Sequence, residues 1–334
     1  MFSQQQLNEA FDKARQYVLS GHLPCAVVAV ADRQGILGQV AYDKEGQEAP
    51  ELFEGVYALA SISKAITGIG AAVLYDEGKL RYDVPICHYL PEFGVDDARR
   101  SMTLAHVFTH STGLPSRFAA EFADIEDPAA HLFQLLREDP LQFPPGTKMC
   151  YSTYTYQLVN AVVERITGVK FSKFLQDRVF GPCGMTDTGF WPDPVRAMPV
   201  VDHPIPAGPA MKTFCDLEIS GGGMWSTAAD LIALGQAWLT PGKLVSEATF
   251  KVVTAPQPGL PMLGNETTLS CRTLGFVKER QGMFPRQPAA GFYHGGATGT
   301  LWWLDPERGL IYVFLTTRWG SGNEHAFDVL NSLY

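Results

Sequence analysis

The sequence predicts an α/β (α+β) protein: an antiparallel sheet flanked by helices, drawn from both ends of the chain and interrupted by a mostly helical insertion. Three observations predict it. An apolar run at 25–31 is followed by a second strand-like segment at 35–42. A strong hairpin pattern spans 299–318. Between about 76 and 204, helical stretches alternate with Pro/Gly turns and strand signals are few. The expected organisation is therefore one α/β domain from 1–75 and 205–334, with a helical domain at 76–204.

Each element has a local reason. Residues 1–19 carry Leu7, Phe11 and Val18 at helical spacing among Glu9, Asp12, Lys13 and Arg15, which reads as an amphipathic helix. Pro24 precedes the apolar strand 25–31, and 35–42 reads as its hairpin partner. Ile62, Ala65, Ile66, Ile69, Ala72 and Val73 give 61–75 one broad apolar face, with Gly78 as the stop. Helices are expected at 103–109, 128–136 and 154–166. Strands return after about 211. Thr227-Ala-Ala-Asp230 has the spacing of a capping box opening a helix over 228–239. Strands 301–304 and 310–315 flank Asp305-Pro-Glu-Arg-Gly309, where Pro presets a turn and Gly permits positive φ. A last helix runs over 323–333.

Composition excludes several classes of function. The 334 residues are 46% hydrophobic and 18% charged, too apolar for a disordered chain. The formal net charge of -9 offers no basic surface to nucleic acid or anionic lipid. No apolar run reaches the roughly 18 to 20 residues needed to cross a bilayer. The charged, amphipathic start is unlike a signal peptide, so a cytoplasmic location is expected, or a periplasmic one if a leader has been removed. Cys25, Cys87, Cys150, Cys183, Cys215 and Cys271 are scattered without metal-ligand spacing, and free thiols are expected. His106 and His110 stand four apart on an expected helix, a weak metal pattern without an intervening Glu. No metal or organic cofactor is implied.

Three segments carry chemistry. In Ser61-Ile62-Ser63-Lys64, residues three apart share a helix face, so the lysine amine can reach the serine hydroxyl and activate it. It is the sole Ser-x-x-Lys in the chain. At the first turn of a helix, Ser61 would also feel the positive end of the dipole. Tyr151 stands at a loop-to-helix junction from which its oxygen can enter a cleft. His294-Gly295-Gly296-Ala297-Thr298-Gly299 opens the C-terminal hairpin, where glycines allow close approach and a backbone N–H can supply half an oxyanion hole, Ser61 N–H the other half. No Gly-x-Ser-x-Gly elbow is present. His106, His110 and His294 are each conceivable triad bases.

These elements, in this order, resemble the serine β-lactamase and penicillin-binding-protein superfamily, in particular its class C-like branch with the family VIII carboxylesterases. Further blocks carry the resemblance along nearly the whole chain: Tyr57-Ala-Leu-Ala-Ser61, Leu104-Ala-His-Val-Phe-Thr-His110 with Ser111-Thr-Gly-Leu-Pro115, Pro182-Cys-Gly-Met185, Gly221-Gly-Gly-Met-Trp-Ser-Thr227, and Gly296-Ala-Thr-Gly299 with Asp305-Pro-Glu-Arg308. The resemblance implies a β-lactamase-like fold and an acyl-enzyme on Ser61, with Lys64 and Tyr151 handling protons. It implies an oxyanion hole from the N–H groups of Ser61 and Ala297, and substrate contacts from Thr153, His294, Gly295 and Gly296.

Two positions depart from the family pattern. Thr153 replaces the asparagine of Tyr-x-Asn; being shorter and lacking an amide, it is not expected to reproduce contacts with a substrate amide or with Lys64. His294 replaces the lysine of Lys-Thr-Gly and is mostly neutral at pH 7. Both changes favour small uncharged esters over penicillins. The expected function is a carboxylesterase acting on a small-molecule ester or amide, with neither nucleic acid nor membrane as partner. The alternatives are a β-lactamase or D-amino-acid peptidase, an acyltransferase, and a non-catalytic penicillin-binding-like sensor. Phe118, Phe143, Trp302 and Trp303 are candidates for an acyl pocket, with core packing the default for each. Nothing in the sequence sets the oligomeric state.

Overall fold

A computed structural model describes residues 3–94, 98–117, 125–205, 208–278 and 290–334. Its centre is a six-stranded antiparallel sheet made of β1 (Ala26–Ala31), β2 (Ile36–Tyr42), β3 (Val277–Lys278), β4 (Phe292–Gly295), β5 (Leu301–Asp305) and β6 (Leu310–Leu315). The spatial order is β2-β1-β6-β5-β4-β3, so the first and last segments of the chain meet at the β1–β6 pair, with Val28 opposite Phe314. Both hairpins expected from the sequence form, and Gly309 closes the second at φ 68°.

Five helices cover the sheet or border the site: α1 (Gln4–Leu19), α2 (Ser63–Asp76), α3 (Gln157–Thr167), α4 (Ala228–Trp238) and α5 (Glu324–Asn331). β1 is apolar throughout because both faces of the sheet are covered, and its side chains alternate between two cores. Val28 and Val30, with Trp303, Tyr312 and Phe314, pack in one core with residues of α1 and α5. Val27 and Ala29, with Trp302, Ile311 and Val313, pack in the other with residues of α2 and α4. α1 and α5 are also tied by Asp328, which accepts from Lys13 Nζ at 2.8 Å and from Tyr17 OH at 3.1 Å.

The chain between β2 and β3 positions the site. A two-residue ladder pairs Tyr57 with Ser226 and Ala58 with Trp225, which brings the segment entering α2 beside 220–226. The helices expected at 128–136 and 154–166 appear as Pro128–Glu138 and as a 3₁₀ turn, Tyr154–Tyr156, running into α3.

Several local expectations are corrected. Ser61 lies in a 3₁₀ turn, Ala60–Ile62, and α2 proper begins at Ser63. The helix at 103–109 is Leu104–Phe108, so His110 falls beyond it, at φ 57°, and does not share a helical face with His106. Strands do not return at once after 211, since helices Pro209–Asp216, α4 and Glu247–Thr254 occupy much of the segment. Thr227 does cap α4 by accepting from Asp230 N at 3.2 Å, but Asp230 is not used to close the box. Its carboxylate accepts from Thr188 Oγ1 at 2.7 Å and from Asp187 N at 2.9 Å, a tertiary use that outcompetes the local one. No helix among the described residues is long and apolar enough to cross a membrane.

Candidate active site

Ser61 is presented by a sharp turn. Ala60, just before it, is held at φ 45°, a strained value for a residue with a Cβ. The turn is sewn down by Ser63, whose Oγ donates to Ala60 O at 2.7 Å and accepts from Met224 N at 3.0 Å. This second serine of the motif is therefore a brace.

Around Ser61 Oγ the expected partners converge. Tyr151 OH donates to it at 2.7 Å and Lys64 Nζ at 3.1 Å. Lys64 is fully buried, and its ammonium also donates to Gly221 O at 2.5 Å and Thr153 Oγ1 at 3.1 Å. The last contact corrects the expectation for Thr153: its hydroxyl does reach Lys64, because the loop carrying it packs closely on the 220–224 segment. Lys64 Nζ also lies 4.7 Å from the centre of the Tyr151 ring.

This crowding shifts both titrations. Burial pushes the Lys64 amine below its ordinary value; Tyr151 opposes that, and the positive charge of Arg272 reinforces it. Burial alone would raise the Tyr151 phenol, but the charges of Lys64 and Arg272 outweigh it and the net shift is downward. Both shifts run downward, and two groups this close titrate as a coupled pair.

The third motif docks against the serine turn. A Cβ at Gly296 would collide with Leu59 O and Thr300 Oγ1, so only glycine permits this approach. Thr298 Oγ1 donates to Ala58 O at 2.7 Å, binding the two segments together. Within the turn, Gly296 N donates to Thr300 O and Gly299 N to Gly296 O, while Ala297 N has no backbone acceptor among the described residues. Ser61 N precedes the first hydrogen bond of its own turn, Ile62 N to Leu59 O. Two backbone donors, at Ser61 and Ala297, thus border one cleft.

That cleft has a volume of about 170 Å³ and is walled by Ser61, Tyr151, Thr153, Phe214, Trp225 and Trp319, with Ala297. A larger apolar chamber of about 500 Å³ shares His203, Ile205 and Trp225 with it. Of the substrate-contact candidates, Thr153 lines the cleft and His294 does not. His294 is buried, its Nδ1 bonds Gly295 O at 2.9 Å, and burial with the charges of Arg272 and Lys64 drives its pKa well below the ordinary value. Gly295 lies in β4 opposite Leu301.

None of the three candidate triad bases touches Ser61. His106 caps its own helix by accepting from Thr103 N. His110 is buried, accepts from Ser152 N at 3.2 Å and lies 4.3 Å, ring to ring, from Tyr151, so it shapes the pocket of the phenol. Trp302 and Trp303 are wholly buried on opposite faces of the sheet and Phe143 is buried; Phe118 lies outside the described residues. All six cysteines are free, and burial raises the Cys150 thiol, so no thiolate stands beside Tyr151.

Sequence reasoning missed Phe214, Trp319, Arg117 and Arg272. Only Trp225 stood in a segment already singled out, 221–227. The others arrive from distant segments and carry no local signal. Arg117 lines the cleft but is neutralised by Asp139, which accepts from its Nε and Nη2 at 2.6 Å.

Residues 7–332 match the family model described as Beta-lactamase. The esterase EstB of Burkholderia gladioli is 27% identical, over 93% of this chain and 89% of its own. The crystal structure of a penicillin-binding protein homolog from Caulobacter crescentus superposes with a TM-score of 0.82 at 21% identity, covering 98% of this chain and 96% of that one. A family VIII carboxylesterase superposes with a TM-score of 0.79 at 17% identity, over 99% and 96% of the two chains.

Proposed function

The chain belongs to the beta-lactamase family, and on that premise we propose that it is a serine carboxylesterase that forms its acyl-enzyme on Ser61. The observation that carries the reading is the pair of contacts to Ser61 Oγ, from Tyr151 OH and Lys64 Nζ. With Tyr151 as the phenolate, its own proton already released, Ser61 Oγ bonds to the ester carbon as its proton passes to the Tyr151 oxygen, while Lys64 balances the charge. The carbonyl electron pair moves onto the oxygen, which the N–H groups of Ser61 and Ala297 receive. When the carbon–oxygen ester bond breaks, Tyr151 returns the proton to the departing alkoxide. Water then repeats the attack on the acyl-enzyme with the same groups. Such positioned proton transfer contributes roughly 10²- to 10⁴-fold, and each oxyanion donor roughly 10²- to 10³-fold.

The preference for uncharged esters rests on the walls. Among the described residues, no carboxylate lines the cleft, its aromatic side is Phe214, Trp225 and Trp319, and its one lining arginine is already paired. The histidine standing where many relatives of the resemblance carry lysine is buried and uncharged near neutrality. The name of the Burkholderia gladioli relative agrees with the same activity. The test compares wild type with Ser61→Ala on a short-chain nitrophenyl ester and a chromogenic cephalosporin. Rapid ester cleavage that vanishes in the variant, with little cephalosporin turnover, is expected; the reverse preference would make the protein a β-lactamase.

A further inference from the structure

Arg272 was given no role by its sequence neighbourhood, yet it reaches the centre of the site. Its guanidinium carbon lies 5.3 Å from the centre of the Tyr151 ring, whose oxygen bonds Ser61. Among the described residues it forms no ion pair.

Its backbone is fixed independently of the cleft. Gln257 N donates to Arg272 O at 2.7 Å, Leu274 N to Val253 O at 3.0 Å, and Arg272 bridges to Val277 at the head of β3. The next residues press directly on α2: a methyl at Gly68 would meet Leu274 O at 2.9 Å and Gly275 Cα at 3.0 Å. The helix that supplies Lys64 and the segment that supplies Arg272 are therefore locked together.

We propose that Arg272 is a positioning residue for acyl transfer: its guanidinium, lying against the Tyr151 ring, is the fixed cation that holds Tyr151 ready to take the Ser61 proton. This rests on the acyl-enzyme reading for its catalytic meaning, though not for its physical test. The other groups facing Tyr151 do not substitute for it. Lys64, on α2, is mobile in charge because it belongs to the titrating pair. His110, which follows Leu104–Phe108, and His294, on β4, are both held uncharged by burial near neutrality. Tyr156, ahead of α3, is buried and kept protonated, and Arg117 is neutralised by Asp139. Among the described residues facing Tyr151, Arg272 is thus the one permanent cation not paired with a carboxylate.

In the attacking step the Ser61 O–H bond breaks and its proton joins the Tyr151 phenolate oxygen, while the new bond forms between Ser61 Oγ and the ester carbon and the carbonyl π pair moves onto its oxygen. A nearby cation favours the deprotonated state of Tyr151 and of Lys64 alike, so removing it raises both titrations.

The test is an NMR titration of the Tyr151 ring carbon bearing the hydroxyl, in ¹³C-tyrosine-labelled protein, with Tyr151→Phe identifying the signal. In Arg272→Gln the midpoint is expected to rise by about one pH unit, a tenfold shift in the phenol–phenolate ratio. Arg272→Met should behave like Arg272→Gln, and Arg272→Lys should recover most of the wild-type midpoint. The acidic limb of kcat/KM for a nitrophenyl ester should move upward by the same amount in the first two variants. An unmoved midpoint in folded Arg272→Gln and Arg272→Met would overturn the proposal, as would an Arg272→Lys midpoint displaced as far as theirs. Because the titration needs no substrate, a shifted midpoint in a protein that cleaves no ester would sink the esterase reading and leave this one standing.

Discussion

The helix start at Ser61 and the strand at His294 present the same kind of motif in two different physical settings. In the first, spacing alone dictates contact: residues three apart on a helical turn must be neighbours, and Lys64 Nζ indeed sits 3.1 Å from Ser61 Oγ. In the second, the backbone is used and the side chain is turned away. Ala297 lines the cleft and Gly296 packs against Leu59 of the serine turn, while the His294 ring is buried. A strand alternates its side chains, so a motif on a strand tells which backbone is near the site but leaves the facing direction to the register. A helical motif is read from its own residues; a strand motif needs its neighbours.

Breaking the helical motif should have the largest effects. Ser61→Ala should lower ester turnover by about 10⁴-fold or more with little change in thermal unfolding, measured by steady-state kinetics and calorimetry. Tyr151→Phe, which keeps the ring against His110 but removes the oxygen, should cost roughly 10²- to 10⁴-fold in kcat/KM. Near-normal rates in this variant would remove Tyr151 from the proton path.

Breaking the strand motif should instead show up in stability. Trp302→Ala, on the neighbouring strand, should destabilise by about 3 to 5 kcal/mol, read from denaturant midpoints. His294→Gln should leave kcat/KM within about threefold of wild type while lowering the thermal midpoint, since the ring's hydrogen bond goes to Gly295 O and not to a reacting group. A loss beyond about a hundredfold in folded His294→Gln would show that the ring acts on the chemistry.

The smallest effect concerns acid. His110 and His294 have folded pKa values well below the ordinary 6.5, and His325, bonded to Gly299 O at 2.8 Å, is lowered to about 4. Each binds its proton more readily when unfolded. Their stability contribution is therefore complete above pH 6.5 and is lost as pH falls toward the folded values. Each contributes at most about 1.4 kcal/mol per pH unit in that window. Calorimetry between pH 7 and 5 should show the midpoint falling, and the fall should be shallower in His294→Gln.

The same division explains what the sequence disclosed. The two hairpins, α1, α2 and the last helix were legible because each rests on local periodicity and turn chemistry. Ser61, Lys64 and Tyr151 were legible as a set because the family's motifs stand in order, and the structure brings all three together. Thr153 was misjudged, since the reach of its hydroxyl depends on how closely its loop packs on the 220–224 segment. Phe214, Trp319 and Arg272 were illegible because only long-range packing carries them to the cleft. Asp230 shows the reverse case, a local signal overridden when Thr188 offered its carboxylate a buried partner.

The most direct measurement is intact-protein mass spectrometry after rapid acid quench of the protein mixed with an activated acetate ester. The expected result is one added acetyl group, mapped by peptide analysis to Ser61 and absent from Ser61→Ala. An unmodified wild-type protein during active turnover, or an acetyl group on another residue, would contradict the acyl-enzyme on Ser61.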